Sequence, residues 1–420
     1  MGKPVIVLSV CSSDTYGGAA RAAYRIHTAV RELGVDSTMF VKEKVTTDPT
    51  VLSLGAFLPD NPVYKAWDWG RNKVINQWQH HLWGRYPDRE QRYLSDLRAS
   101  DIGNVFERLD YDVLHLHWIN YRFIPLSKLP RNKPVVWTLH DSWPFTGLCH
   151  LPYACRGFTA RCGRCPALHS DDAQDYSHTI WEKKKKIYQD LDLHIVAPSH
   201  WMAECARSSS LLGGFDIQVI PNCIDTGQFA PVGRESACQR WGLDPGKKHI
   251  LFSGMNVQAD PNKGYDYLQN ALKLLPADVV KDTELVLIGS KNHAVTEVGG
   301  LKAINLGFFG KAEDAAAVYS AADVTVVPSL SENLSYTIME SLACGTPVAA
   351  FNVGGNGDLI TQQVNGYLAR EKDERDLSEG IGWCLSQRKE SLSAATRSFV
   401  LEHFSPETIA RQYLSLYSRI

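Results

Sequence analysis

Short apolar runs, many of them β-branched, alternate along this chain with longer stretches in which apolar positions recur every three or four residues. The runs at 5–10, 113–117, 135–139, 194–197 and 217–220 read as strands, and a second series follows at 250–253, 285–288, 304–308, 324–327 and 348–351. Several show no in–out alternation, as expected of strands covered on both faces. After the first run, Gly17-Gly18 opens a helix over about 19–33, and Gly34 stops it. Strand–helix alternation on this scale predicts an α/β fold with parallel sheets, here two.

Two places interrupt the pattern. The stretch 44–109 is rich in aromatics (Tyr64, Trp67, Trp69, Trp78, Trp83, Tyr86) and reads as a mostly helical insertion. Pro221-Asn222-Cys223-Ile224-Asp225 follows a strand and precedes a polar, proline-containing stretch, after which the alternation starts afresh. The expected domains are therefore 1–220 and 221–400, with a C-terminal helix over 401–420 packing back on the first. No repeat of solenoid period is present.

Length agrees, because 420 residues exceed the ~250–300 at which a single core stops growing. A net charge of -2 argues against a nucleic-acid binder that works through bulk charge. No apolar run approaches the ~18–20 residues of a membrane span, and the first is too short for a secretory h-region. The expected location is cytoplasmic, where ten cysteines read as buried thiols, metal ligands or reactive groups.

Candidate chemistry collects just past strand ends, where open α/β sheets bind ligands. Gly17, Gly18 and Arg21 stand at the start of the first helix, whose free amides and dipole suit an anion. His140 and Asp141 follow another strand, with Trp143 close behind. His115 and His117 share one face of a strand; a third metal ligand is not evident, so they read as structural or substrate-lining. Glu332 and Glu340 lie eight apart across a loop and a helix start, and the amides of Asn333, Leu334 and Ser335 can hold a diphosphate. Lys263-Gly264 before a helix offers a point charge for phosphate. Taken singly, each feature also reads as a turn, a structural histidine, a capped surface helix or a solvated lysine.

Taken together, these residues resemble a known family. Glu332-x7-Glu340, then Ala343-Cys344-Gly345-Thr346-Pro347-Val348 and Gly354-Gly355, resemble the C-terminal signature of family-4 retaining glycosyltransferases of the GT-B type. The Gly17 loop, His140-Asp141, Ile220-Pro221-Asn222 and Lys263-Gly264 occur in that family's order. The resemblance spans nearly the whole chain except 44–109. His140 through Leu168 further resembles a subgroup acting in bacterial capsule, O-antigen, lipopolysaccharide and exopolysaccharide (colanic-acid-like) assembly.

The resemblance implies two Rossmann-like domains facing a cleft. A UDP- or GDP-linked sugar would bind the C-terminal domain, and a lipid-linked glycan acceptor the N-terminal one. Glu332 would hold hexose hydroxyls and Glu340 ribose hydroxyls. Lys263 would neutralise the diphosphate, and His140 would contact the transferred sugar. Gly17 and Gly18 would admit the diphosphate, Gly289, Ser290, Gly310 and Lys311 would border the base, and His117, Asp141 and Trp143 would lie on the acceptor side. No cofactor is required for such chemistry. Family members usually carry an Arg after the glycine matching Gly254; here Met255-Asn256 stands there, leaving Asn256 on the donor side and Arg21 as the substitute cation.

Cys149, Cys155, Cys162 and Cys165 fall within seventeen residues and suit a structural tetrahedral Zn²⁺, with reduced thiols or a disulfide pair as alternatives. Lys183 to Lys186, beside Trp181 and Tyr188, reads either as a solvated helix face or, with the tryptophans of 44–109, as a weak, salt-sensitive contact with an anionic membrane surface. Competing functions are a metal-dependent transferase using Asp110-Tyr-Asp112 or Asp190-Leu-Asp192, a sugar-nucleotide epimerase or hydrolase, and a silent glycan-assembly subunit. Both Asp pairs precede strands, at the end opposite ligand binding.

Overall fold

The computed structural model describes residues 5–90, 94–254, 260–289, 296–309 and 311–420. The chain divides into two compact units. One comprises Met1–Pro198, Met202–Ile220 and Ala410–Ile420; the other comprises Ser199–Trp201 and Pro221–Ile409.

The first unit is built on β1 (Ile6–Ser13), β2 (Asp36–Glu43), β3 (Val51–Ser53), β4 (Val113–Leu116), β5 (Val135–Thr138), β6 (Leu193–Ala197) and β7 (Asp216–Val219), in spatial order β3-β2-β1-β4-β5-β6-β7. Every pairing is parallel. β4 and β5 are buried at every residue, which explains why both read as mainly apolar runs, with only His115 and Thr138 polar. The order reverses between β1 and β4, the switch point at which ligand crevices form.

The second unit contains β8 (Lys248–Ser253), β9 (Thr283–Ile288), β10 (Glu297–Val298), β11 (Leu301–Asn305), β12 (Val324–Val327), β13 (Val348–Phe351) and β14 (Gly366–Ala369), in order β10-β11-β9-β8-β12-β13-β14. All pairs are parallel except β10 with β11. Its switch point lies between β8 and β12. The helix Tyr336–Ala343 buries Ile338, Met339, Leu342 and Ala343 against this sheet's core. At ~1.5–3 kcal/mol for each large apolar side chain, that face anchors the helix and fixes what its polar face presents.

Several elements differ from the sequence expectation. β2 was not anticipated, because its ends are polar and its apolar centre is only Met39-Phe40-Val41. Residues 51–53 of the expected insertion join the main sheet as β3, and the long helix Pro62–Gly84 follows. The strand expected at 304–308 runs earlier, at Leu301–Asn305. Among the described residues no helix is long and apolar enough to cross a membrane.

Candidate active site

In the second unit, two loops at the switch point are stitched into one piece. Pro261–Lys263 forms a 3₁₀ turn, with the Asp260 side chain accepting from Asn262 N. Asn262 then grips the loop after β12: its side-chain amide donates to Ser331 O (2.9 Å), and Leu330 N donates to Asn262 O (2.9 Å). Gly264 has φ +68, and a Cβ there would lie 1.9 Å from Pro328 O, so no other residue fits this approach. The result sets Lys263 Nζ 3.0 Å from Glu332 Oε1, with both side chains partly buried. The Glu332 carboxylate, against the opposing effect of burial, raises the pKa of Lys263 above its usual value.

A second constraint on Glu332 comes from Gly354-Gly355. A Cβ on Gly354 (φ +55) would lie 1.6 Å from Glu332 O, and one on Gly355 would lie 2.0 Å from Asn333 O. Gly355 N donates to Glu332 O (3.2 Å), and Ser199 Oγ donates to Asn333 Oδ1 (3.1 Å). Backbone packed directly on backbone holds the loop that presents Glu332. Leu334 and Ser335 are buried, and Ser335 caps the helix Tyr336–Ala343 without a side-chain bond. Glu340, inside that helix, accepts from Tyr319 Oη (3.2 Å). Burial, then Glu340, pushes the Tyr319 hydroxyl well above its ordinary pKa, so it remains a donor. Tyr319, Asn262 and Ser199 were not anticipated; a lone Tyr, Asn or Ser carries no spacing signal.

Gly289 follows β9, its N donating to Gly307 O (2.7 Å). Lys311 is exposed and caps the helix Ala312–Ala321. Met255, Asn256, Ser290 and Gly310 lie outside the described residues.

In the first unit, Gly17 caps the helix Gly18–Glu32; nothing lies within 4 Å of a Cβ on Gly17 or Gly18, and Arg21 is exposed. At the ends of β4 and β5, three histidines lie in succession, His115 within β4, His117 just past it and His140 just past β5. His115 is tied to Thr138 Oγ1 (2.8 Å) and Tyr417 Oη (2.7 Å), while His117 Nδ1 meets His140 Nε2 at 2.9 Å. Burial lowers all three, His115 to about 3 and His140 to about 4, so the group is neutral at ordinary pH. His117 is buried and contacts His140 directly, a geometry for positioning.

Asp141 gathers three donors: His150 Nδ1 (2.6 Å), Trp118 Nε1 (2.5 Å) and Trp143 N (2.9 Å). Burial opposes its charge, yet His150 and these bonds hold the carboxyl below its usual pKa. Trp143 is buried and donates to Ser95 O (2.7 Å). His150, Trp118 and Ser95 were missed by sequence reasoning. His150 follows Asp141 by nine residues in an irregular loop, where no periodicity points to it.

Neither Asp pair belongs to these clusters: Asp112 accepts from Ile6 N at the start of β1, and Asp190 pairs with exposed Arg131. Cys149, Cys155, Cys162 and Cys165 line one small cavity. Cys165 is lowered to about 7, first by its bond with Cys149, whereas burial pushes Cys162 up to about 11. Among the described residues, no three His, Cys, Asp or Glu side chains are placed to hold a metal ion. The zinc expected from the spacing is therefore not supported by the geometry, and no disulfide joins the thiols either. The lysine run is also corrected. Lys184 is fully buried, donating to Trp143 O (2.5 Å), Thr146 O (3.0 Å) and Gly147 O (3.3 Å). Only Lys183, Lys185 and Lys186 face outward.

Two parallel α/β units with ligand-type clusters at their switch points define a GT-B fold, and solved structures agree. Anabaena HepE, crystallised with UDP-glucose, superposes with a TM-score of 0.64 over 99% of this chain and 100% of its own, at 15% identity. The family model for Glycosyltransferase Family 4 matches residues 16–228, and that for Glycosyl transferases group 1 matches residues 234–398. The chain belongs to glycosyltransferase family 4. Among curated relatives, D-inositol 3-phosphate glycosyltransferase of Nocardia farcinica is 28% identical over 66% of this chain and 59% of its own length. The putative colanic acid biosynthesis glycosyl transferase WcaC of Escherichia coli is 25% identical over 63% and 64%. The chain thus spans under two thirds of either relative.

Proposed function

We propose that the chain moves a hexose-type sugar from a UDP- or GDP-linked donor to a growing, lipid-linked glycan in cell-surface polysaccharide assembly, with retention at the anomeric carbon. The observation that carries this is the Lys263–Glu332 pair, held at 3.0 Å by two interlocked loops at the switch point of the second sheet. In this reading the second unit takes the donor. Glu332 accepts from hexose hydroxyls and Glu340 from ribose hydroxyls. Lys263 and the amides of Asn333 to Ser335 meet the diphosphate, with Gly17, Gly18 and Arg21 as further phosphate contacts and Gly289 and Lys311 beside the base. As the nucleoside diphosphate leaves, charge grows on its oxygens, and a fixed ammonium and fixed amides stabilise it without reorganising. The acceptor hydroxyl attacks the face being vacated, and the leaving phosphate takes its proton.

The first unit takes the acceptor beside Asp141 and Trp143. His140 touches the transferred sugar, and neutral His117 sets its tautomer. Family membership, the colanic-acid-type relative and a cps-region relative support a place in capsule, O-antigen or exopolysaccharide synthesis. Cytoplasmic placement with weak contact to an anionic inner leaflet rests on the helix Pro62–Gly84, where Trp67 and Trp69 are 52% and 67% exposed beneath Arg71 and Lys73. Flotation with anionic vesicles, lost at high salt, tests it.

The deciding experiment is a panel of UDP- and GDP-sugars, with and without glycan acceptors and with EDTA. Acceptor-dependent nucleoside diphosphate release, an axial product from an axial donor, and loss in folded Glu332→Ala are expected. Turnover to a new sugar nucleotide or free sugar, indifferent to acceptor, would favour an epimerase or hydrolase. No turnover with any donor would favour a silent subunit.

A further inference from the structure

The first unit holds a cavity of about 630 Å³ at its own switch point, lined from the ends of β1 and β2, the segment after β4, the helix Pro62–Gly84 and the segment 94–98. That volume lies within the ~300–1,000 Å³ of small-molecule sites. Its wall is continuous with the Asp141 cluster, because Trp118, Trp143 and Ser95 all line it and all bond to Asp141 or His150. Trp118 is pinned by its bond to Asp141 and meets exposed Tyr121 edge-on, with ring centroids 4.8 Å apart. Flat aromatic faces of this kind take up the C–H face of a sugar ring.

The charges are less ordinary. Three cations line the cavity: Lys42, Arg98 and Arg122. Arg98 is ion-paired with Asp96, and Glu43 sits exposed at the rim. Arg122, by contrast, donates to two neutral oxygens, Asn76 Oδ1 (2.6 Å) and Gln79 Oε1, and Lys42 donates to Tyr121 O (2.7 Å). Among the described residues neither has a carboxylate within ion-pair distance. Burial lowers the pKa of both; at Lys42 the neighbouring Glu43 opposes this and Arg122 adds to it, and at Arg122 the nearby Arg71 adds to it. Tyr121 and Arg122 are held in consecutive left-handed conformations (φ 55 and 56), a strained arrangement for non-glycine residues. Two cations that make no ion pair among the described residues, beside an aromatic platform, present donors suited to an anionic group.

Resting on the acceptor assignment above, we infer that this cavity selects anionic saccharide acceptors: the sugar ring lies on Trp118, and its carboxylate or phosphate is read by Arg122 and Lys42. Binding of cellobiouronic acid, cellobiose and glucose 1-phosphate, followed by tryptophan fluorescence and saturation-transfer NMR, tests this. At least about tenfold tighter binding of one or both anionic probes than of cellobiose is expected, and the stronger of the two identifies carboxylate or phosphate as the group read. The preference should weaken with added salt in the unaltered protein. Arg122→Gln and Lys42→Met should remove it, with Arg122→Lys retaining part, all at unchanged melting temperature. Equal binding of the three probes, or a preference that persists in Arg122→Gln, overturns the inference. Donor cleavage by the unaltered chain is measured alongside. Its absence counts against the transferase reading, whereas its presence without acid preference counts against this inference alone.

Discussion

Replacing Gly354 by Ala tests whether backbone packing holds the proposed catalytic loop. The new Cβ would lie 1.6 Å from Glu332 O, so the two strands of chain must part by at least about 1.4 Å to reach the 3.0 Å closest approach of real contacts. The left-handed backbone (φ +55) adds about 1–2 kcal/mol for a side chain, and overpacking adds about 1–3 kcal/mol more. A shift of that size carries Glu332 away from Lys263, now 3.0 Å distant, and breaks the Gly355 N bond to Glu332 O. Misplacement by ~1 Å can reduce turnover about 100-fold. The expected outcome is a ~100-fold lower kcat/KM for transfer, with a melting temperature lower by roughly 4–20 °C at ~2–4 °C per kcal/mol. Gly34→Ala is the control: its φ is +87, but nothing lies within 4 Å of the new methyl. It should lose about 1–2 kcal/mol of stability and keep its transfer rate. If Gly354→Ala transfers within threefold of the parent, the loop is not positioned by this contact and the reasoning fails.

Three further outcomes follow from the same structure. Lys263→Met should lower kcat about 10²–10³-fold in transfer assays with little change in melting, since it removes a charge aimed at the leaving group and leaves a partly exposed Glu332; unaltered kcat would place the diphosphate elsewhere. His115 and His140 bind protons less readily folded than unfolded, so their stabilisation is complete above pH ~6.5 and is lost as pH falls toward 4. At about 1.4 kcal/mol per unit, the fall of His115 from 6.5 to about 3 amounts to about 5 kcal/mol, read as a decline in melting temperature as the pH falls that flattens in His115→Asn. Lys184→Met should destabilise by about 3 kcal/mol by leaving the carbonyls of Trp143, Thr146 and Gly147 without their donor, whereas Ala at Lys183, Lys185 or Lys186 should each change stability by under ~0.5 kcal/mol in urea unfolding.

What was legible in the sequence, and what was not, follows the range of the interaction. Strands buried on both faces, such as β4, β5, β12 and β13, announce themselves locally because nearly every side chain is apolar, His115, Thr138 and Thr325 being the exceptions. β2 and β3 do not: their membership is set by pairing with β1, and their sequences are half polar. Lys263 and Glu332 could be singled out by residue type. The clamp that joins them runs through Asn262 to Ser331, Gly264 to Pro328 and Gly354 to Glu332, contacts 69, 64 and 22 positions apart in the chain, and no local pattern encodes it. The four cysteines show the converse limit of spacing. Spacing along a chain suggests convergence, but coordination depends on where the sulfurs point, and here Cys149 and Cys165 meet each other within the cavity that all four line.

The lysine run sharpens the point. Four identical letters suggest one solvated patch, yet the helix Tyr176–Tyr188 has a period of about 3.6, and Ile180, Trp181, Lys184 and Tyr188 fall on one buried stripe. Lys184 therefore occupies a core position by phase alone. The core tolerates it because its amino group donates to three carbonyls of the loop 143–147 and lies 3.6 Å from the Trp143 ring centroid, while burial draws its pKa well below the usual value. That loop carries Trp143, whose backbone N bonds Asp141 and whose indole bonds Ser95. A residue that composition assigns to the surface thus fixes the wall of the proposed acceptor cavity, a role that the net charge of -2 does not reveal.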